Sequence, residues 1–207
     1  MHIDIIGLLV SFGILLIAMT VHEFSHGWVA YKLGDTTAKN SGRLTLNPLA
    51  HIDPIGTVLL PLFLYLSTNG QFVFGAAKPV PINYQALRNP KRDIIWIGAS
   101  GPAANFVFAF LCSIVLRFPA PPVLIQYILQ SFIVINVVLG VFNLIPIPPL
   151  DGSRIVMGLL PESLAYRYAL IEPFGFFIIM ALVWFRALDF FVWPAVSMVL
   201  NFMGVAF

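Results

Sequence analysis

The sequence predicts an all-α polytopic membrane protein with five to six membrane segments, one of them re-entrant, and a short β-hairpin. Three observations predict it. Apolar residues make up 59% of the chain, against roughly 45–50% in ordinary soluble domains. Charged residues make up 10%, where about 25% is usual, and mean hydropathy is +0.93. Several stretches approach the roughly 20 apolar residues that cross a bilayer core of about 30 Å. So few charges cannot wet the surface of a 207-residue globule, which excludes a soluble fold. High hydrophobicity excludes disorder. A net charge of +2 is too small for an electrostatic nucleic-acid binder. The one cysteine, Cys112, permits neither an intrachain disulfide nor a cysteine zinc cluster and reads as a core residue.

The first predicted span is Ile5–Tyr31. It is not a signal peptide, because it lacks a basic start and runs straight into His22, Glu23 and His26. Ile55–Leu66 is apolar but only 12 residues long, flanked by Pro54 and interrupted by Pro61. It reads as a half-membrane, re-entrant piece. Gln71–Ile82 begins with alternating apolar positions and continues into glycine and two prolines, a pattern for a short hairpin or edge strand. Ile94–Phe118 and Val123–Ile147 are strong spans joined tightly through Pro119, Pro121 and Pro122. Leu170–Phe185 is short, and Phe190–Phe207 contains Pro194. No repeat or linker divides the chain, so residues 1–207 read as a single membrane-embedded domain, with a motif core at about 5–155 and C-terminal helices at about 170–207.

Lys and Arg gather on the cytoplasmic side of membrane proteins. If Ile55–Leu66 is re-entrant, only Arg117 and Arg186 of the 11 basic residues lie outside. The N-terminus is then outside and the C-terminus cytoplasmic.

Residues 22–26 read His-Glu-Phe-Ser-His. On a helix, positions i and i+4 share one face, so His22 and His26 can offer two imidazoles to one metal. Glu23 falls about 100° around from His22, where a base can take a proton from an attacking water. With 4 His in the chain, chance supplies about 0.001 such matches. Ionised groups near a bilayer centre cost roughly 2.5–3.5 kcal/mol each, so three in five residues need compensation, and a metal is the simplest. The plain alternative is a helix end whose polar residues face water. A catalytic zinc usually keeps three protein ligands and an open position. Asp151 is the best third candidate. It follows Asn143-Leu-Ile-Pro-Ile-Pro-Pro-Leu, where the prolines break the span, and it precedes Gly152. For His26 and Asp151 to meet at one depth, their helices must run the same way, which again asks for a re-entrant Ile55–Leu66.

Together, residues 22–26, Gly101-Pro102-Ala103-Ala104-Asn105 and the Asn143–Gly152 stretch resemble the site-2 protease family of intramembrane zinc metalloproteases, over at least residues 15–155. The resemblance implies that His22, His26 and Asp151 bind Zn2+ and that Glu23 is the catalytic base. It implies that Asn143 polarises the substrate carbonyl or holds the oxyanion, and that Gln71–Ile82 forms a membrane-dipping β region. It is to a small, compact branch of a prokaryotic cell membrane, since 207 residues leave no room for the PDZ or nucleotide-sensing domain of many relatives. Asn47–Pro54 resembles a stretch of that branch. There His51 and Asp53 are expected either near the site or in a capped turn, with Asp53 as N-cap and Pro54 at the first helical position. Asn105 and Asn136 are expected to bridge helices, Asn105 nearer the site. Gly98, Gly101, Ala103 and Ala104 are expected to allow close helix packing.

The function expected is therefore an intramembrane zinc metalloendopeptidase. Its partners would be a transmembrane protein substrate and membrane lipid, without nucleic acid. A metal carrier or metal-dependent scaffold is the rival, and a lipid-directed metal hydrolase is a third reading. Glu23 argues against a carrier, which has no need of a general base beside its ligands.

Overall fold

The computed structural model describes residues 5–59, 61, 63, 66, 75, 77–118 and 121–205. Eight α-helices run through them: α1 (Ile5–Lys32), α2 (Thr37–Asn40), α3 (Pro90–Leu116), α4 (Val123–Asn143), α5 (Asp151–Leu159), α6 (Glu162–Ala169), α7 (Glu172–Trp184) and α8 (Asp189–Phe202). Short 3-10 turns cover Pro48–His51 and Tyr84–Ala86, and a π-helical stretch covers Pro54–Leu59. No strand occurs among the described residues.

Helix α3 is the hub, packing against α1, α4 and α5. It begins with Pro90 at a position whose amide a helix cannot use. Asp93, one turn on, reaches back to accept the Asn89 amide at 2.9 Å. The main core joins Ala109 and Cys112 of α3, Ile133 and Val137 of α4, and Val192, Val196 and Leu200 of α8. Cys112 is the core residue expected.

At about 1.5 Å per residue, the 28 residues of α1 reach about 42 Å. Among the described residues, α3 and α4 are long and apolar enough to cross a membrane, and α6 with α7 makes a third if that pair, bent by 63°, is one span. This is fewer than the five to six segments expected, and some of those end short of their expected bounds. Leu170–Phe185 is helical only from Glu172 to Trp184, 13 residues, with Pro173 in its first turn. Pro173 cannot extend a helical ladder back across Leu170, so the chain bends there. Of Phe190–Phe207, the described residues up to Val205 are helical only as α8, 14 residues. Gly204 ends it at φ +72°, and the Val205 amide closes on the Leu200 carbonyl at 3.0 Å. That closure needs a residue in the left-handed region, which glycine supplies without strain. Val123–Ile147 likewise stops at Asn143, ahead of the prolines.

Pro54–Leu59 is the described start of the Ile55–Leu66 segment; beyond it only positions 61, 63 and 66 are described. The capped-turn reading holds at its mouth. Asp53 Oδ1 accepts the amides of Ile55 at 3.0 Å and Gly56 at 2.7 Å. The expected hairpin at Gln71–Ile82 falls partly outside the described residues. Its second half, 77–82, forms no strand and no helix. Pro79 and Pro81 have no amides to give a ladder.

Candidate metal centre

Helix α1 places His22 and His26 one above the other on the face turned to α3, and both are buried. Their rings meet edge to face at 85°, with centroids 4.6 Å apart. Asp151 arrives from the first turn of α5, after the proline-rich loop. Its Oδ2 lies 3.0 Å from His22 Nε2 and 3.1 Å from His26 Nε2, and the two Nε2 atoms are 3.0 Å apart. These are the only three His, Cys, Asp or Glu side chains among the described residues whose ligand atoms gather this closely.

The protons of this cluster follow from its surroundings. The Phe132 carbonyl can only accept, and it takes Nδ2 of Asn136 at 2.9 Å. Asn136 Oδ1 therefore faces Asn105, whose Nδ2 donates to it at 2.8 Å and to the Ala18 carbonyl at 3.3 Å. That leaves Asn105 Oδ1 toward His22, so Nδ1 of His22, 2.6 Å away, carries the hydrogen. Nδ1 of His26 donates to the Ile97 carbonyl at 2.7 Å, and Ser100 Oγ donates to the same carbonyl. In the neutral rings both Nε2 atoms then present lone pairs, aimed at each other and at a carboxylate oxygen. Three converging lone pairs in a buried place repel unless a cation joins them.

The set fits zinc. Two imidazole nitrogens and one carboxylate leave a tetrahedral ion one open position. Donors about 2.0–2.2 Å from such an ion sit about 3.3 Å from each other, close to the separations found. Gly101 completes the cradle. A Cβ built on it would stand 2.5 Å from His26 Nε2 and 2.6 Å from His22 Nε2. Gly98, one turn earlier, lets α5 approach, since a Cβ there would meet the Asp151 carbonyl at 2.9 Å. Ala103, in contrast, lies on the exposed face of α3 and packs nothing closely.

Glu23 is half-buried beside the cluster, and its Oε2 accepts the Val80 amide at 2.8 Å. Asn143 lies at the last turn of α4 and donates Nδ2 to the Leu139 carbonyl at 3.0 Å. No hydrogen bond joins it to His22, His26 or Asp151. His51 is fully buried, with Nε2 on the Thr45 carbonyl at 2.9 Å, and with Asp53 it belongs to the capped turn rather than to the cluster. Reading the sequence missed the Ile97 carbonyl, Ser100 and the Val80 amide. Asn136 is the helix bridge expected, and its side chain left a signal in the sequence. Backbone groups leave none.

Asn105 fixes the tautomer and orientation of His22, and such partners typically contribute 10–100-fold to metal affinity. Asn105→Ala should weaken zinc binding by about that factor, and Asn136→Ala by less, because it acts through Asn105. Competition against a chelating dye measures both. Unchanged affinity in Asn105→Ala would refute the role.

The peptidase family M50 model matches residues 120–184, a stretch that includes Asp151. The chain is 33% identical over 192 residues to "Putative zinc metalloprotease YwhC" of Bacillus subtilis, covering 88% of this chain and 84% of that protein. It is 30% identical over 193 residues to "Putative zinc metalloprotease Rip2" of Mycolicibacterium smegmatis, covering 92% and 73%. "Zinc metalloprotease MJ0392" of Methanocaldococcus jannaschii is 27% identical over 157 residues, which are 76% of this chain and 36% of that protein. No solved structure matches the chain.

Proposed function

The chain belongs to peptidase family M50, the site-2 proteases, and is a zinc metalloprotease; on that premise we propose that it hydrolyses peptide bonds inside the membrane-spanning segments of other membrane proteins. The observation that carries this reading is where the His-His-Asp cluster sits. It meets Gly101 and Asn105 near the middle of α3, a helix long and apolar enough to cross a bilayer. Residues 1–207 act as one membrane-embedded unit, with the motif core at about 5–155.

His22, His26 and Asp151 hold the ion. When bound, zinc polarises a carbonyl and brings water's pKa to about 7. Glu23 takes the proton from the attacking water and returns it to the leaving amine. Asn143 keeps a second Nδ2 hydrogen beyond the one given to Leu139, and offers it to the developing oxyanion. The substrate segment must unwind locally, because helical hydrogen bonds shield its carbonyls.

The test reconstitutes the protein in liposomes with a panel of transmembrane peptides. Expected are two fragments per cleaved peptide, loss of cleavage on chelation and its return with zinc. Zinc uptake without any cleavage across the panel would favour the carrier reading and refute this one.

The basic residues and the matching depth of His26 and Asp151 support a re-entrant Ile55–Leu66, an outside N-terminus and a cytoplasmic C-terminus. Single cysteines at Lys39 and Lys78 should then label from the same side of the membrane. Opposite accessibility would refute this topology.

A further inference from the structure

The segment Lys78–Asn83 has no regular secondary structure, and its backbone pairs with no strand among the described residues. Its bonds go instead to Glu23 of α1, to Asp35 in the turn after α1, and to Arg43 and His51 beyond α2. The Lys78 amide donates to the His51 carbonyl at 2.9 Å. Arg43 Nη2 donates to the Lys78 carbonyl at 2.7 Å and to the Pro79 carbonyl at 3.3 Å. The Asn83 amide donates to Asp35 Oδ2 at 2.7 Å, and Asp35 is fully buried. Between these anchors, Pro79 and Pro81 carry no amide hydrogen, so Val80 has the one N–H of the Pro-Val-Pro unit, and it meets Glu23 Oε2 at 2.8 Å. The Val80 side chain is 6% exposed and lies over Gly27, where a Cβ would stand 3.0 Å from it. A glycine one residue beyond His26 thus makes room for this strap against the site.

We propose that the strap Lys78–Val80, clamped by Arg43, is a positioning device for the base: the Val80 amide holds one oxygen of Glu23 and leaves Oε1 for proton transfer. This rests on the protease reading for the role of Glu23. Arg43 is a positioning residue, two links from the chemistry. Nη2 of its guanidinium donates to two peptide carbonyls, and a charged donor makes such bonds roughly twice as strong as a neutral one. A freely rotating carboxylate would reach the attacking water only part of the time, and a 1 Å misplacement can cost about 10²-fold in rate.

Two measurements on the full chain test the proposal. The first needs no activity. Hydrogen exchange at Val80 is compared between the parent and Glu23→Ala, with Lys78 as internal reference because its acceptor is His51. Exchange at Val80 should accelerate in the variant while Lys78 stays as it was. No change at Val80 overturns the proposal, whether or not the protein cleaves anything. The second uses a cleaved transmembrane peptide. Arg43→Ala should lower kcat by about 10- to 100-fold with zinc content and KM close to the parent's, and Arg43→Lys should recover part of the loss. In a Glu23→Gln background the Arg43→Ala effect should vanish, since no base remains to be positioned. The same fold-loss in both backgrounds, or a loss carried by KM, would make Arg43 a purely structural residue and overturn the proposal. A parent that cleaves no peptide removes the protease reading, and the exchange comparison still decides the strap.

Discussion

Gly101→Ala is expected to empty the site of zinc and abolish proteolysis while leaving the helix bundle folded. The added methyl would stand 2.5 Å from His26 Nε2 and 2.6 Å from both Cε1 and Nε2 of His22. Non-bonded carbon and nitrogen do not approach so closely, so something must move. Neither imidazole has room to yield. His22 is held through Asn105 and His26 through the Ile97 carbonyl, at 2.6 and 2.7 Å. The methyl therefore displaces the Nε2 atoms or takes the space where the ion would sit. The backbone has no matching reason to fail, since alanine is the better helix former by about 1 kcal/mol. Gly13→Ala is the control. It is also helical, but a Cβ there meets nothing within 4 Å, so zinc and activity should stay near the parent's. Metal analysis beside circular dichroism measures both variants. A Gly101→Ala protein with one zinc per chain and parent-like turnover would refute this account of the cradle.

How much of this was legible in the sequence depended on whether a feature is carried by side-chain identity at a fixed local spacing. His22 and His26 are one helical turn apart, so their shared face was readable before any fold was known. Asp151 was readable for a different reason. An acid and a glycine in a proline-broken span are costly unless they serve a site. The long helices α3 and α4 were legible from apolar length. The shorter α7 and α8 were not, because apolar composition runs on past Gly204 and back before Pro173 while the helix does not. Hydropathy reports where a chain prefers lipid, whereas helix ends are set by backbone geometry. The tautomer relay was half legible. Asn105 and Asn136 stood out as amides in apolar helices, but their mutual contact spans 31 residues and two helices. The Val80 amide was invisible, because a backbone donor carries no letter. Ala103 shows the converse error. It shares the small-residue stretch of α3 with Gly101, yet the 3.6-residue period turns it outward.

Glu23→Gln should keep its zinc and lose its turnover. Glutamine is nearly isosteric, and its carbonyl oxygen can still accept the Val80 amide, so the strap stays in place. Glu23 is not among the three side chains whose ligand atoms converge, so metal content should match the parent's. What the amide cannot do is accept a proton as a carboxylate does. The loss should therefore be at least the 10²–10⁴-fold typical of removing a general base. His26→Ala should fail differently. It removes one of three donors and leaves His22 and Asp151 alone, so metal and activity should go together. The Ile97 carbonyl also loses the imidazole it accepted from, though Ser100 still donates to it, which keeps α3 satisfied at that turn. Zinc content and cleavage of a transmembrane peptide, measured on both variants in the same liposomes, separate the two failures. A carrier would transport nearly as well with glutamine at position 23, since its ligands are intact. A zinc-loaded Glu23→Gln protein that cleaves at close to the parent rate would show that the proton goes elsewhere, and the mechanism proposed for this site would fall with it.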